Sequence, residues 1–238
     1  MRKKINSLSD LMKLLSTILV VSILCSCQSK EPISVLVVTG GHAYDTSNFV
    51  RMFSEMEGIE FDTEIQPSAN QMYGTEKIGN YDVIVYYDLY LEITEAEKVD
   101  FLELLDEGVG IVFLHHCMAS YQDWDEYINI LGGRYDLDTS GYAHDLEVPI
   151  KIINPKHPIT KGLGDFTLHD ETYFNTVRLP GVDPLLSTDH DQSDAILGWT
   201  NKYSNSRIVY LQPGHDNNAY SNENYRQLVE QAIAWVSR

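Results

Sequence analysis

Histidines stand where three predicted strands of this chain end. His42 follows the first strand and its Gly40–Gly41 pair, His115 and His116 end a later strand, and His215 follows the last one. Because the carboxyl ends of parallel strands meet at one edge of a sheet, we expect these side chains to share a crevice. Imidazole titrates near neutral pH, so such a cluster is suited to proton transfer.

Carboxylates accompany two of these positions, since Asp216 follows His215 and Glu171 lies in a neighbouring predicted strand. We predict that His116 and His215 form a catalytic proton-transfer pair and that Asp216 or Glu171 orients one of them. A structural, hydrogen-bonded role is the alternative for any one histidine. The same groups are also ligands for zinc or manganese. The chain has no compact HxxxH or CxxC motif, so its spacing leaves a divalent metal open.

Cys117 directly follows the histidine pair and raises the question of a cysteine nucleophile. A nucleophile elbow needs small residues beside the nucleophile, but His116 and Met118 flank this cysteine. A small apolar residue at the start of a helix is therefore the favoured interpretation of Cys117.

Strands and helices alternate in the first half of the chain, which predicts a doubly wound α/β domain. The helix over 93–108 has a capping box at Thr94 and Glu97 and a C-terminal glycine, Gly108. The predicted strands here are 33–41, 61–65, 81–88 and 108–116. The second half is less regular, with a helix at 120–133, short strands at 146–153, 169–174, 184–190, 195–203 and 207–214, and an amphipathic helix at 222–236.

The N-terminus has a basic segment, MRKK, followed by an apolar stretch and LCSC, residues 24–27. This pattern predicts a secretory signal peptide and resembles a bacterial lipobox, with Cys27 as the lipidated residue. We expect a lipoprotein signal over 1–27, a tether over 28–32 and a single domain over 33–238. The protein would be exported and lipid-anchored to a bacterial membrane, and Gln28 resembles the sorting signal for the outer membrane.

The formal net charge of -18 gives a surface that repels nucleic acid phosphates and anionic lipid headgroups. Neutral or cationic small molecules are better partners for such a surface. The 15 tyrosines and 3 tryptophans suit sugar-binding sites, although packing is their more common role.

Five stretches together carry a family resemblance: VLVVTGGHAYD (35–45), GVGIVFLHHCMASYQDWDEYINILGGRY (108–135), HDLEVPIKIINPKHPITKGLGDF (144–166), HDETYF (169–174) and RIVYLQPGHDNNAY (207–220). In this order they are similar to the ThuA-like (trehalose utilisation) family. The resemblance implies a glutamine amidotransferase-like fold, which is a flavodoxin-like α/β domain with a mostly parallel sheet and helices on both faces. The glycine-flanked nucleophile elbow of the amidotransferases is absent, so glutamine hydrolysis is not implied.

The resemblance also implies a role in carbohydrate catabolism through 3-keto intermediates. The expected function is that of an enzyme acting on keto-sugars or 3-keto-glycosides by histidine-mediated proton transfer. A non-catalytic, lipid-anchored sugar-binding protein is the alternative. Arg134 is a candidate stabiliser of an enolate, and Trp124 and Tyr173 are candidates for stacking on the sugar. The full set of expected substrate-binding residues is His42, His115, Gln122, Asp123, Trp124, Arg134, His144 and Tyr173.

Overall fold

The computed structural model describes residues 31–237, and the chain from residue 32 onward forms one compact unit. The predicted signal peptide, Cys27 and most of the tether lie outside the described residues. Among the described helices, none combines the length and apolar character that crossing a membrane requires.

Five strands form a parallel half-sheet in the order β2-β1-β3-β4-β11. Residues along β1 alternate between the two faces, with Val35 and Val37 in one core cluster and Leu36 and Val38 in the other. Both faces are therefore buried, as the continuous apolar run predicts. The strands are β1 (Ile33–Gly40), β2 (Ile59–Ile65), β3 (Val83–Asp88), β4 (Gly110–Leu114) and β11 (Ser206–Leu211).

Four antiparallel strands continue the same sheet from β11, in the order β10-β9-β6-β7. They are β6 (Gly141–Ile152), β7 (Phe166–Phe174), β9 (Asp183–Ser187) and β10 (Ile196–Tyr203), while β5 (Gly133–Arg134) and β8 (Val177–Arg178) pair separately. The mixed α/β fold predicted from the sequence is confirmed. The short strands of the irregular second half build this antiparallel extension, and β7 is its last strand.

Helices cover both faces of the parallel half. On one face lie α1 (Thr46–Ser54), α5 (Asn217–Tyr220) and α6 (Glu223–Val236), and on the other lie α2 (Ser68–Met72), α3 (Glu95–Glu107) and α4 (Asp125–Leu131). The capping box predicted for α3 is present, because Thr94 Oγ1 accepts from the Glu97 amide and the Glu97 carboxylate accepts from the Thr94 amide.

The chain differs from prediction just after β4. That strand ends at Leu114 rather than at His116, and residues His115–Ala119 form a short 3-10 helix. His115 has a φ of 52°, in the left-handed region, and this turns the chain sharply away from the strand. The following helix consequently starts at Asp125 rather than at residue 120.

Candidate functional site

The turn after β4 fixes His115 in one orientation. Its backbone carbonyl accepts a hydrogen bond from the Tyr210 hydroxyl (2.9 Å), and its ring Nδ1 lies 2.7 Å from the carbonyl oxygen of Gln212. A carbonyl can only accept, so Nδ1 must carry a proton and donate. In a neutral His115 the lone pair is therefore on Nε2. Left-handed backbone at a non-glycine residue costs about 1–3 kcal/mol and is concentrated at functional sites.

Electron-pair donors from three elements converge around that nitrogen. Nε2 of His115 lies 3.3 Å from Glu171 Oε1 on β7 and 3.3 Å from Nδ1 of His215, which follows β11. Glu171 Oε2 lies 3.7 Å from the same His215 nitrogen. The Tyr173 hydroxyl, two residues along β7, lies 3.1 Å from His115 Nε2. Strands far apart in sequence thus build one compact cluster.

Electrostatics in this cluster favour a positive charge on or near His115. Burial by itself would lower the pKa of His115, but the hydrogen bond to Glu171 and the charges of Asp170 and Glu171 raise the pKa above its usual value. Burial alone would raise the pKa of Glu171, and the bond and charge of His115 instead hold that pKa low. Burial raises the pKa of Tyr173 well above its usual range, so its hydroxyl keeps its proton.

Asp170 supports the cluster from behind. Its side chain is buried, and it accepts hydrogen bonds from the amides of Gly214 (2.8 Å), His215 (2.9 Å) and Glu171 (2.8 Å). The bonds from Gly214 and His215 tie the loop after β11 to strand β7, and the third holds the Glu171 backbone. Asp170 therefore sets the distance between the His215 and Glu171 side chains.

A second pair of histidines stands beside the cluster. The rings of His42 and His116 are 4.3 Å apart, and Tyr87 contacts the other side of His116 with its ring centroid 4.6 Å away. Both ring nitrogens of His116 are buried and lack a hydrogen-bond partner among the described residues. Burial, followed by the nearby histidines, lowers the pKa of His116 well below its usual value and also lowers the pKa of His42. Both rings are accordingly neutral at pH 7.

The backbone before His42 needs glycine. Gly41 has a φ of 73°, and a Cβ atom at this position would lie 1.9 Å from the Leu89 carbonyl oxygen. Only glycine allows this close approach, which carries the chain across the end of β3 and places His42 over His116.

An irregularity in β6 presents His144 from the opposite side. The pairing of β6 with β7 shifts register between Ala143 and Leu146, and Asp145 has a φ of 59°. Such bulges redirect a side chain out of the regular alternation. The Asp145 carboxylate lies 2.6 Å from Nδ1 of His144 and orients its ring.

These groups enclose a cavity of about 470 Å³, which is within the range of small-molecule sites. Exposed apolar side chains, Leu137 and Tyr142, stand among the lining residues. Imidazoles, one carboxylate and aromatic rings thus surround a space large enough for a sugar. The lining comprises His42, Leu89, His116, Ala119, Tyr135, Leu137, Tyr142, His144, Glu171, Tyr173 and His215.

Most of the histidines and acids expected in the crevice are brought together. Six of the predicted residues line the cavity: His42, His116, His144, Glu171, Tyr173 and His215. His115 lies just behind them, with only 1% of its surface exposed, and it touches the cavity residues rather than the cavity itself.

Besides His115, five predicted site residues do not line the cavity, and four of them have a structural contact instead. Trp124 is buried against Phe101 and Tyr127, so neither face of its ring is free for a sugar. Asp216 caps α5, and its carboxylate accepts hydrogen bonds from the Asn218 amide and side chain rather than from a ring nitrogen of His215.

The other three lie nearby but face elsewhere. Gln122 donates to the carbonyls of Ala119 and Tyr135 and so fixes the chain around the 3-10 helix. Arg134 reaches Asp136 at 3.5 Å. Asp123 lies in a separate surface depression.

Sequence reasoning missed the support residues of the site. Tyr87 donates to the carbonyl of Gly214 and contacts His116, but in sequence it is one apolar-looking position of a buried strand. Tyr135 ends the 108–135 stretch that carries the family resemblance, but it was given no site role, and Tyr142 lies outside the five stretches. Asp170 had a detectable signal, because two acidic residues in succession on a strand force one of them toward the core.

The fold and the site define an α/β domain whose histidine-rich cavity opens where β1, β4 and β11 end. The sequence model of the ThuA family, described as trehalose utilisation, matches residues 34–236. The chain belongs to the ThuA family, and this membership points to a carbohydrate-related role. No curated protein matches the sequence.

Solved structures with the same fold agree with this assignment. A ThuA-like protein from Parabacteroides merdae superposes with a TM-score of 0.71 at 19% identity, over 87% of this chain and 90% of that one. A ThuA-like protein from Bacteroides uniformis gives 0.69 at 22% identity, over 89% and 94%. A β-galactosidase from Bacillus circulans gives 0.57 at 12% identity, over 86% of this chain but 32% of its own. At these identities the likeness concerns the fold alone.

Proposed function

We propose that this domain is a carbohydrate-catabolic enzyme that acts on a keto-sugar, specifically a 3-keto-glycoside, by histidine-mediated proton transfer. The observation behind the proposal is the division of the cavity wall into two chemically different halves. His42 and His116 are neutral imidazoles, while His115, Glu171 and His215 form a cluster suited to a positive charge.

The two halves match the two needs of the reaction. A ketone at C3 acidifies the proton on C2, and a neutral imidazole can take that proton while the electron pair moves to the ketone oxygen. Positive charge opposite that oxygen stabilises the enolate. The enolate then expels the glycosidic oxygen from C1, this oxygen takes up a proton, and water adds to the resulting enone, giving net hydrolysis.

Within the neutral half we assign proton abstraction to His42 rather than to His116. A protonated His116 would be buried among His42, Tyr87 and His115, and no carboxylate of residues 31–237 contacts it, which disfavours the charged form. His42 is exposed at the cavity and can release a proton to solvent. His116 then serves as a neutral hydrogen-bond partner, since a sugar hydroxyl would satisfy its unpaired nitrogens.

The test separates proton abstraction from binding. A methyl 3-keto-glucoside is incubated with the protein in deuterated water, and NMR follows both deuterium exchange at C2 and release of methanol. We expect exchange in the wild type and a loss of at least about 100-fold in His42→Asn. His190→Asn is the matched control, because an asparagine oxygen can still accept the hydrogen bond that the Gln192 amide donates to His190 Nδ1.

Two outcomes would contradict the proposal. Full exchange activity in His42→Asn would remove the assigned base. Saturable binding of the keto-sugar by the wild type with neither exchange nor cleavage would support the alternative, a sugar-binding protein without catalysis.

The N-terminal sequence adds a proposal about location. The lipobox-like LCSC at residues 24–27 supports export and lipid anchoring at Cys27. Replacing Cys27 with serine should release the protein from the membrane fraction, and membrane retention of that variant would contradict the anchor.

A further inference from the structure

We propose that His115 Nε2, His215 Nδ1 and the Glu171 carboxylate bind one divalent transition-metal ion, most suitably zinc. The catalytic role of the ion rests on the proposed function, whereas the metal site itself is argued from distances and hydrogen-bond partners. When bound, the ion would supply the positive charge opposite the ketone oxygen.

The distances within the cluster match those of a metal site. Zinc bonds to nitrogen and carboxylate oxygen of about 2.0–2.1 Å place the corners of a tetrahedron about 3.3–3.4 Å apart. The three nearest separations here are 3.3 Å from His115 Nε2 to Glu171 Oε1, 3.3 Å from His115 Nε2 to His215 Nδ1 and 3.7 Å from Glu171 Oε2 to His215 Nδ1. The donor spacing is thus close to that of a coordination tetrahedron, with the two oxygens of the Glu171 carboxylate facing the two histidines.

The partners of these groups are those that metal ligands have. Ligating histidines usually donate their other ring N–H to a carbonyl or carboxylate, and His115 does so through Nδ1 to Gln212 O (2.7 Å). Asp170 holds the amides of both Glu171 and His215. Glu171 is on strand β7, His215 is on the loop that Asp170 bonds to β7, and His115 is on the turn after β4. The three ligands are therefore held near one another before a metal binds.

The composition leaves a place for substrate. Two histidines and one glutamate are three protein ligands, which is the number found in catalytic zinc sites with an open fourth position. Glu171 and His215 line the cavity, while His115 closes the site from behind. An open position would therefore face the space that the sugar occupies.

The described residues include a second histidine–carboxylate group that serves as a control. His169 lies 2.8 Å from Glu147 and 3.8 Å from Asp145, but all three side chains are exposed on β6 and β7. This group has the same residue types as the cluster, but it is not buried and its His169 has no ring nitrogen bonded to a backbone carbonyl of residues 31–237.

The experiment measures metal binding directly. The purified full chain is stripped with a chelator and titrated with zinc by calorimetry, with cobalt(II) absorption as a reporter of coordination number. We expect one zinc per chain, and a strong cobalt spectrum typical of four or five ligands. Glu171→Gln and His215→Ala should each weaken binding by at least about 100-fold, and His169→Gln should not change it. Circular dichroism checks that each variant is folded.

The possible failures are distinguishable. Absence of stoichiometric zinc binding, or tight binding that survives both cluster variants or is lost in His169→Gln, would overturn the metal site. A protein that binds zinc in the cluster but turns over the keto-sugar equally well without it would leave the site and the proposed function standing and overturn the role given to the ion. A protein that binds zinc in the cluster but neither exchanges nor cleaves the keto-sugar would leave the site standing and overturn the function.

Discussion

Replacing Asp88 with asparagine should stabilise the domain at neutral pH and leave its stability near pH 4 almost unchanged. Asp88 is the last residue of β3 and is fully buried beneath the turn that holds His115. Its carboxylate accepts hydrogen bonds from Gln66 (3.0 Å) and Ser120 (3.3 Å), but no cation contacts it among the described residues. Burial outweighs these bonds and raises the pKa of Asp88 from 3.8 to about 6.

The sign and size of the effect follow from proton linkage. Between the two pKa values the folded protein keeps a proton that the unfolded chain has lost, so rising pH favours unfolding. Each pH unit of separation is worth about 1.4 kcal/mol, and the difference between 3.8 and about 6 gives roughly 3 kcal/mol. This destabilisation is absent at pH values below the pKa of Asp88 in the unfolded chain, and it is complete at pH values above the pKa of Asp88 in the folded protein. Asparagine has no charge to lose and retains an oxygen for Gln66.

The measurement is urea unfolding of the wild type and Asp88→Asn at a series of pH values from acid to neutral. The difference in the free energy of unfolding should grow by about 3 kcal/mol as pH rises through the interval. Asp82→Asn, at the exposed start of the same strand, controls for the loss of one negative charge. A difference that stayed constant with pH would show that Asp88 ionises alike in the folded and unfolded chains, and the reasoning would fail.

Two further predictions concern the backbone and the core around the site. Gly41→Ala should lower the free energy of unfolding by more than about 1–3 kcal/mol, because its Cβ would overlap the Leu89 carbonyl, while Gly164→Ala, with no atom within 4 Å, should have little effect. Urea unfolding measures both, and equal effects would contradict the steric argument. Trp124→Phe should cost roughly 1–3 kcal/mol of stability and leave saccharide affinity, measured by calorimetry, unchanged. A loss of affinity at unchanged stability would return Trp124 to the binding site.

The features that could be predicted from sequence are those that short-range rules decide. The capping box of α3 depends on Thr94 and on a glutamate three residues later, and it forms as expected. The apolar run of β1 predicts burial on both faces for the same local reason. The gathering of histidines followed from one long-range rule, that parallel strands end at a common edge.

Side-chain direction could not be predicted, because it depends on dihedral angles that no motif specifies. His215 and Asp216 are neighbours in sequence, but the extended backbone at Asp216 turns its carboxylate to the amide of Asn218. Trp124 follows the polar Gln122–Asp123 pair, but its ring packs against Phe101 of the preceding helix α3. In both cases the residue type suggested a role that its position does not allow.

The tyrosines connect these observations to the site. Their abundance in the sequence suits either sugar stacking or packing, but two of them have a third role, in which the hydroxyl of a core ring donates to the backbone of the turn after β4. Tyr210 donates to the His115 carbonyl and Tyr127 to the Cys117 carbonyl, both at 2.9 Å. Buried carbonyls need partners, and these hydroxyls supplement backbone bonds such as that from the Ser120 amide to the Cys117 carbonyl. The left-handed turn that orients His115 is thus stabilised by hydroxyls from β11 and α4, so the aromatic core and the functional site depend on the same side chains.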